Sequence, residues 1–169
     1  DTLFQFALEY MNAVIAALAT TDAGIPDGPS FVAPSVPALD CPEMVTVHIQ
    51  TLGFAPTNPA SPPLETDMRA RRRGVIQATL VAQFVRCQPN PSGINAAFPD
   101  PAAMTAAARK ADQDVWALWN YLTSQIRAGT IFSGSCPPNG LDPPAPIATQ
   151  GGSAGWAFQV RPQIDGYGA

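Results

Sequence analysis

Four of the nine basic side chains fall within five positions, Arg69-Ala70-Arg71-Arg72-Arg73. Guanidinium forks bind phosphate and carboxylate oxygens in pairs, so Arg69, Arg71, Arg72 and Arg73 read as a contact for a polyanion or for an acidic neighbour. The competing reading is a solvated strand entrance whose charge deters edge-to-edge pairing. No aromatic residue interleaves them, which argues against a platform for stacking single-stranded bases.

The other reactive side chains give catalysis little to work with. His48 is the only histidine and lies mid-strand, so any Ser–His–Asp or Cys–His arrangement would have to be built around it. Its plain reading is a histidine hydrogen-bonded on a sheet face. Asp112 and Asp114 stand two apart on a helix and so point in different directions. Glu65 and Asp67 read as a solvated loop rather than an acid–base pair. No cluster offers three metal ligands at short spacing, and neither G-x-x-x-x-G-K-[ST] nor G-x-G-x-x-G occurs. Cys41, Cys87 and Cys136 form no C-x-x-C pair; reduced thiols are expected, with a Cys87–Cys136 bridge as the alternative. The expectation is no catalytic residue, no metal and no cofactor.

Composition points the same way. The 169 residues suit one domain, 1–169, and 46% apolar residues can fill a core. Only 13% are charged, about half the usual share. Either partners cover part of the surface, or long neutral loops supply it. A net charge of −4 gives no overall pull toward nucleic acid or anionic membrane. No apolar run approaches the roughly 20 residues of a membrane span. The N-terminal stretch is apolar but begins with an acid and lacks a basic flank, so it does not read as a secretory signal.

The elements that must position these residues follow from periodicity. Leu3, Phe6, Tyr10, Val14 and Ala17 or Leu18 recur at helical spacing and predict an amphipathic helix over 2–19. Met44–Leu52 alternates, with Val45, Val47 and Ile49 on one face and Thr46, His48 and Gln50 on the other, predicting a half-buried strand. Gly74–Cys87 is the longest strand candidate. Its stronger face is Ile76, Ala78, Leu80, Ala82 and Phe84, and its partly apolar second face places it centrally or under a neighbouring subunit.

Asp100 as N-cap, Pro101 at the first position and Gly129 at the end delimit a long second helix. Met104, Ala108, Ala111, Val115, Leu118, Leu122 and Ile126 form its stripe. Trp116, Trp119 and Tyr121 widen the apolar surface, with core packing expected for at least one tryptophan and a second contact surface beyond it. Trp156, Phe158 and Val160 mark a final strand. Asp22–Pro42, Gly53–Leu64 and Thr130–Gln150 are rich in proline and read as long irregular connections. The fold class is α/β in the α+β sense: a small mixed or antiparallel sheet packed against one long helix and an N-terminal helix.

This order, carried by Leu3–Leu18, Met44–Leu52, Gly74–Cys87, Asp100–Gly129 and Gly155–Pro162, resembles tail terminator proteins of long-tailed, siphovirus-type bacteriophages. The Ala, Pro, Gly and Thr texture with few lysines is similar to phages of actinobacterial hosts. The resemblance implies a structural virion protein assembled in the host cytoplasm. It would form a hexameric ring at the head-proximal end of the tail tube, ending tube polymerisation and meeting the head connector. Its partners would be further copies of itself, the tail tube protein and a head-completion protein, with DNA passing through the lumen and no membrane involved.

On that reading Val75, Gln77, Thr79, Val81, Gln83, Trp116 and Trp119 are the candidate subunit or partner contacts. Arg69, Arg71, Arg72 and Arg73 face the lumen or an acidic partner. The proline-rich loops exceed the simplest family pattern, so a head-completion or stopper protein of the same neck is the alternative. A small-molecule binding module, with a pocket between helix and sheet, and a hydrolase built on His48 are the readings from other classes.

Overall fold

The structure is a computed structural model that describes residues 2–34, 43–54, 76–89, 100–137, 139–150 and 153–164. Two helices pack on one face of a six-stranded mixed sheet. The helices are α1 (Thr2–Leu18) and α2 (Pro101–Arg127); the strands are β1 (Ser30–Ala33), β2 (Met44–Phe54), β3 (Ile76–Cys87), β4 (Ala145–Gln150), β5 (Ser153–Val160) and β6 (Gln163–Ile164). The order across the sheet is β1-β2-β3-β5-β4, with β6 also on β3. Only β1 and β2 run parallel.

The longest predicted strand is central, as its two-sided apolar pattern requires. On β3, Leu80, Ala82 and Phe84 join Val45 and Val47 of β2 and Phe158 and Val160 of β5 in the core. From α1 come Phe6, Ala7, Tyr10, Ala13, Val14, Ala17 and Leu18, a stripe of helical period. The Tyr10 hydroxyl donates to the Phe158 carbonyl at 3.0 Å, tying the first helix to β5. Burial raises the Tyr10 phenol well above its ordinary range, with Cys136 and Asp142 adding to the shift.

The proline-rich connections are less irregular than the sequence implies. Ser30–Ala33 forms β1 between Pro29 and Pro34, and Ala145–Gln150 forms the edge strand β4. Pro146 is tolerated there because an edge strand does not need every N–H for its ladder. Arg161 and Pro162 separate β5 from β6, yet both strands pair with β3 in one unbroken register. The interruption is the missing N–H of Pro162; its carbonyl still accepts from Ala78 N at 3.1 Å.

The long helix matches its end signals. Asp100 accepts from Ala102 N and Ala103 N at 3.3 and 3.2 Å. At the other end Gly129, at φ 66°, donates to Ile126 O, and Thr130 N reaches Gln125 O, which is a Schellman closure. The stripe differs from the expected one. Leu118, Leu122 and Ile126 are buried, Val115 packs partly buried against the core, and Ala111 and Met104 are half-buried, but the fully buried position of the next turn is Asp114 and Ala108 is exposed. At 27 residues the helix outlasts the core, and its first ten residues bury no side chain fully.

Candidate assembly surfaces

Near the end of β3, Arg86 gathers four segments. Its Nε donates to Asp114 Oδ2 at 2.6 Å and its Nη2 to the Gly24 carbonyl at 2.6 Å, while Nη1 faces Glu43 Oε2 at 3.4 Å. Asp114 is fully buried on α2, and its other oxygen accepts from the Thr21 hydroxyl at 2.8 Å. Glu43 accepts from Cys87 N with its second oxygen. A planar fork with five donors suits this task better than an ammonium. With both Asp114 oxygens and three Arg86 nitrogens engaged, the cluster positions the turn after α1, the entrance to β2, the end of β3 and the middle of α2. It offers no free nucleophile.

Beside this hub lies a cavity of about 640 Å³. It exists because the inward positions of α2 at this end are alanines: Ala103, Ala107 and Ala111 form one wall, and Glu43, Arg86 and Lys110 supply charge. Of the pairs a catalytic reading would use, Asp112 and Asp114 are separated as expected, one exposed and one buried. Among the described residues no group of three His, Cys, Asp or Glu side chains is placed to hold a metal ion.

The face of the sheet opposite the helices is also withdrawn from solvent at its centre. Thr46 stands opposite Gln83 and His48 opposite Val81, and all four are buried. Thr46 Oγ1, His48 Nδ1 and Gln83 Oε1 have no hydrogen-bond partner. The expected hydrogen-bonded sheet histidine is thus corrected at Nδ1, which is buried without a partner. Burial lowers the His48 pKa from its ordinary 6.5.

The candidate contact residues do not form one surface. Gln77 and Thr79 are half-buried and Val81 and Gln83 buried on the face opposite the helices; Val75 lies outside the described residues. Trp116 and Trp119 stand in the helical layer. Trp119 packs against the core together with Tyr121, whereas Trp116 is 58% exposed. Arg69, Arg71, Arg72 and Arg73 lie outside the described residues, as do Glu65 and Asp67.

Other exposed apolar side chains are Phe4, Ile25, Phe31 and Leu52. Leu52 sits on the tail of β2 beyond the reach of β1, which pairs only with Val45–His48. A bulge at Gln50 separates this tail from the buried part of the strand.

The cysteine expectation is corrected. Cys136 is a buried free thiol, so the Cys87–Cys136 bridge is not formed, and Cys87 is disulfide-bonded. Burial drives the Cys136 thiol up to about 11. Sequence reasoning also missed the Arg86–Asp114 pair. Its signal was there: an acid four residues before Leu118, on the apolar line of the helix, calls for a buried cation.

No helix among the described residues is long and apolar enough to cross a membrane. No protein-family profile matches the chain, and no curated protein does. Among solved structures, a likeness at 15% identity and a TM-score of 0.33 covers 96% of this chain and 58% of the other. The other chain belongs to an extracellular contractile injection system, a sheath/tube terminator in its extended state. This chain spans 58% of that protein's length.

Proposed function

We propose that the chain is a structural subunit of a phage tail that works by assembly rather than catalysis. It closes into a ring at the head-proximal end of the tail tube, ends tube polymerisation and offers the joining surface to the head connector. The observation that carries this reading is that large apolar side chains stand exposed on two different elements of one small domain. Trp116 is 58% exposed on the helical layer, and Leu52 is 59% exposed on the tail of β2. An isologous dimer needs one self-complementary patch; a ring closed head to tail needs two different ones. The edges at β4 and at the β2 tail add backbone groups for strand addition.

Partners on this reading are further copies of the chain, the tail tube protein and a head-completion protein, in the neck of the virion. The test is the mass and shape of the purified protein by light scattering and negative-stain imaging, alone and with tail-tube protein. A closed ring, or a monomer that forms one on tubes and arrests their growth, is expected. A stable monomer that leaves tube growth unchanged overturns the reading. Assembly without arrest favours a head-completion protein.

The cavity beside Arg86 favours a second reading, a small-molecule binding module, because its 640 Å³ falls within the roughly 300–1,000 Å³ of ligand pockets. That reading requires a ligand that raises the melting temperature of a monomer or dimer.

A further inference from the structure

The outward side of α2 carries a second constellation, on the far side of the helix from the cavity but tied to the buried hub through Thr21 and Asp114. The Thr21 hydroxyl, held by both the Leu18 carbonyl and Asp114, pins the turn after α1 against the helix. This brings Asp22 beside Asp112 and Gln113, and a shallow depression of about 360 Å³ opens between them and the exposed indole of Trp116. Among the described residues the ion pairs are Arg86 with Glu43 and Asp114, and Arg161 with Asp142. Asp22 and Asp112 have none.

Two exposed carboxylates, with no ion-pair partner among the described residues, line a depression with an indole and select one kind of side chain. A guanidinium can stack on the ring face and bond a carboxylate through its edge, and an ammonium does only part of this. The complementary charge is concentrated in the chain itself: Arg69–Arg73 holds four of its nine basic residues. We infer that Asp22, Asp112 and Trp116 form the acceptor half of a subunit contact, and that the Arg69–Arg73 stretch of a second copy is the donor. The inference rests on the ring reading and specifies its contact: acceptor and donor are different patches, as head-to-tail closure demands. An exposed ionic contact of this kind weakens as salt rises.

The experiment reverses each half separately. One variant carries Asp22→Lys and Asp112→Lys, the other Arg71→Glu, Arg72→Glu and Arg73→Glu, and circular dichroism checks that both fold. Each alone is expected to need about tenfold or more higher concentration than the wild type to assemble. An equimolar mixture is expected to regain assembly, because each mutant patch then meets a complementary one. Trp116→Ala, at an exposed position, keeps the test open should a reversed variant fail to fold; it is expected to weaken assembly about tenfold, with Trp116→Phe in between.

Reversed variants that assemble like the wild type overturn the inference and leave the ring reading standing. So does a folded pair whose mixture stays unassembled. Reversed variants that form normal rings but no longer arrest tube growth assign the patch to a different protein, which also overturns it. A wild-type chain that stays monomeric with tail-tube protein present overturns the ring reading and the contact with it.

Discussion

The Arg86 guanidinium meets the fully buried carboxylate of Asp114 at 2.6 Å, joining the central strand to the long helix. A buried carboxylate stripped of its cation is left uncompensated, which costs far more than the pair contributes. Arg86→Met is therefore expected to destabilise the domain by about 3 kcal/mol or more. Adding Asp114→Leu to it recovers most of that loss. Urea titrations of the wild type and the variants read this directly; equal midpoints for the single and double variants would contradict it.

Thr46 Oγ1 is buried without a hydrogen-bond partner, so replacing its hydroxyl with a methyl group removes a desolvation cost without opening a cavity. Thr46→Val is expected to stabilise the isolated domain by about 1 kcal/mol. An unchanged or lowered urea midpoint would show that the hydroxyl has a partner in solution.

Gly155 pairs with Val85 where β5 approaches β3, and a Cβ there would collide with the Phe84 carbonyl. Backbone cannot swing aside as a side chain can. Gly155→Ala is expected to cost roughly 1–3 kcal/mol. At Gly53 an added Cβ meets nothing within 4 Å, so Gly53→Ala serves as the control and should leave the melting temperature close to that of the wild type.

Stability should be bounded on both sides of neutral pH. The His48 pKa is lowered by burial, so the unfolded chain binds its proton first as pH falls. The stability His48 contributes is complete above 6.5 and is lost as pH drops through the lower folded value. Cys136 and Tyr10 behave in the opposite sense. Their folded pKa values are raised, to about 11 for Cys136 from an ordinary 9.0. The Cys136 contribution is complete below 9.0 and is lost as pH rises toward 11, and that of Tyr10 is complete below 10.0 and is lost above it. The melting temperature is expected to hold between 6.5 and 9.0 and fall on either side. His48→Gln should flatten the acid limb and Cys136→Ala the start of the alkaline limb.

Local pattern made the long elements legible. The stripe of α1, the alternation of β2 and β3, and the Asp100, Pro101 and Gly129 signals of α2 are each contained within a single segment. β1, β4 and β6 escaped because a strand of four residues between prolines, or one carrying Pro146, has no period to display. The Arg86–Asp114 pair escaped for another reason: it joins residues 28 apart, and nothing local names the partner. The stripe of α2 lost its sharpness where it turns to alanine and missed Ala108, which is exposed, since alanine sits equally well against a cavity wall or in solvent. Trp116 and Trp119 were both offered as contacts, and only three-dimensional packing separates the exposed ring from the half-buried one.

The hydrogen bond from Tyr10 to Phe158 joins residues 148 apart. Contacts of such long range make folding slow, because chain closure must precede any reward. On the ribosome, at about 5–20 residues per second, α1 emerges many seconds before β5 exists to receive it. Its apolar stripe must wait, exposed or shielded by a chaperone, until almost all of the described chain has been made. A truncated product ending before β5 therefore cannot complete the core.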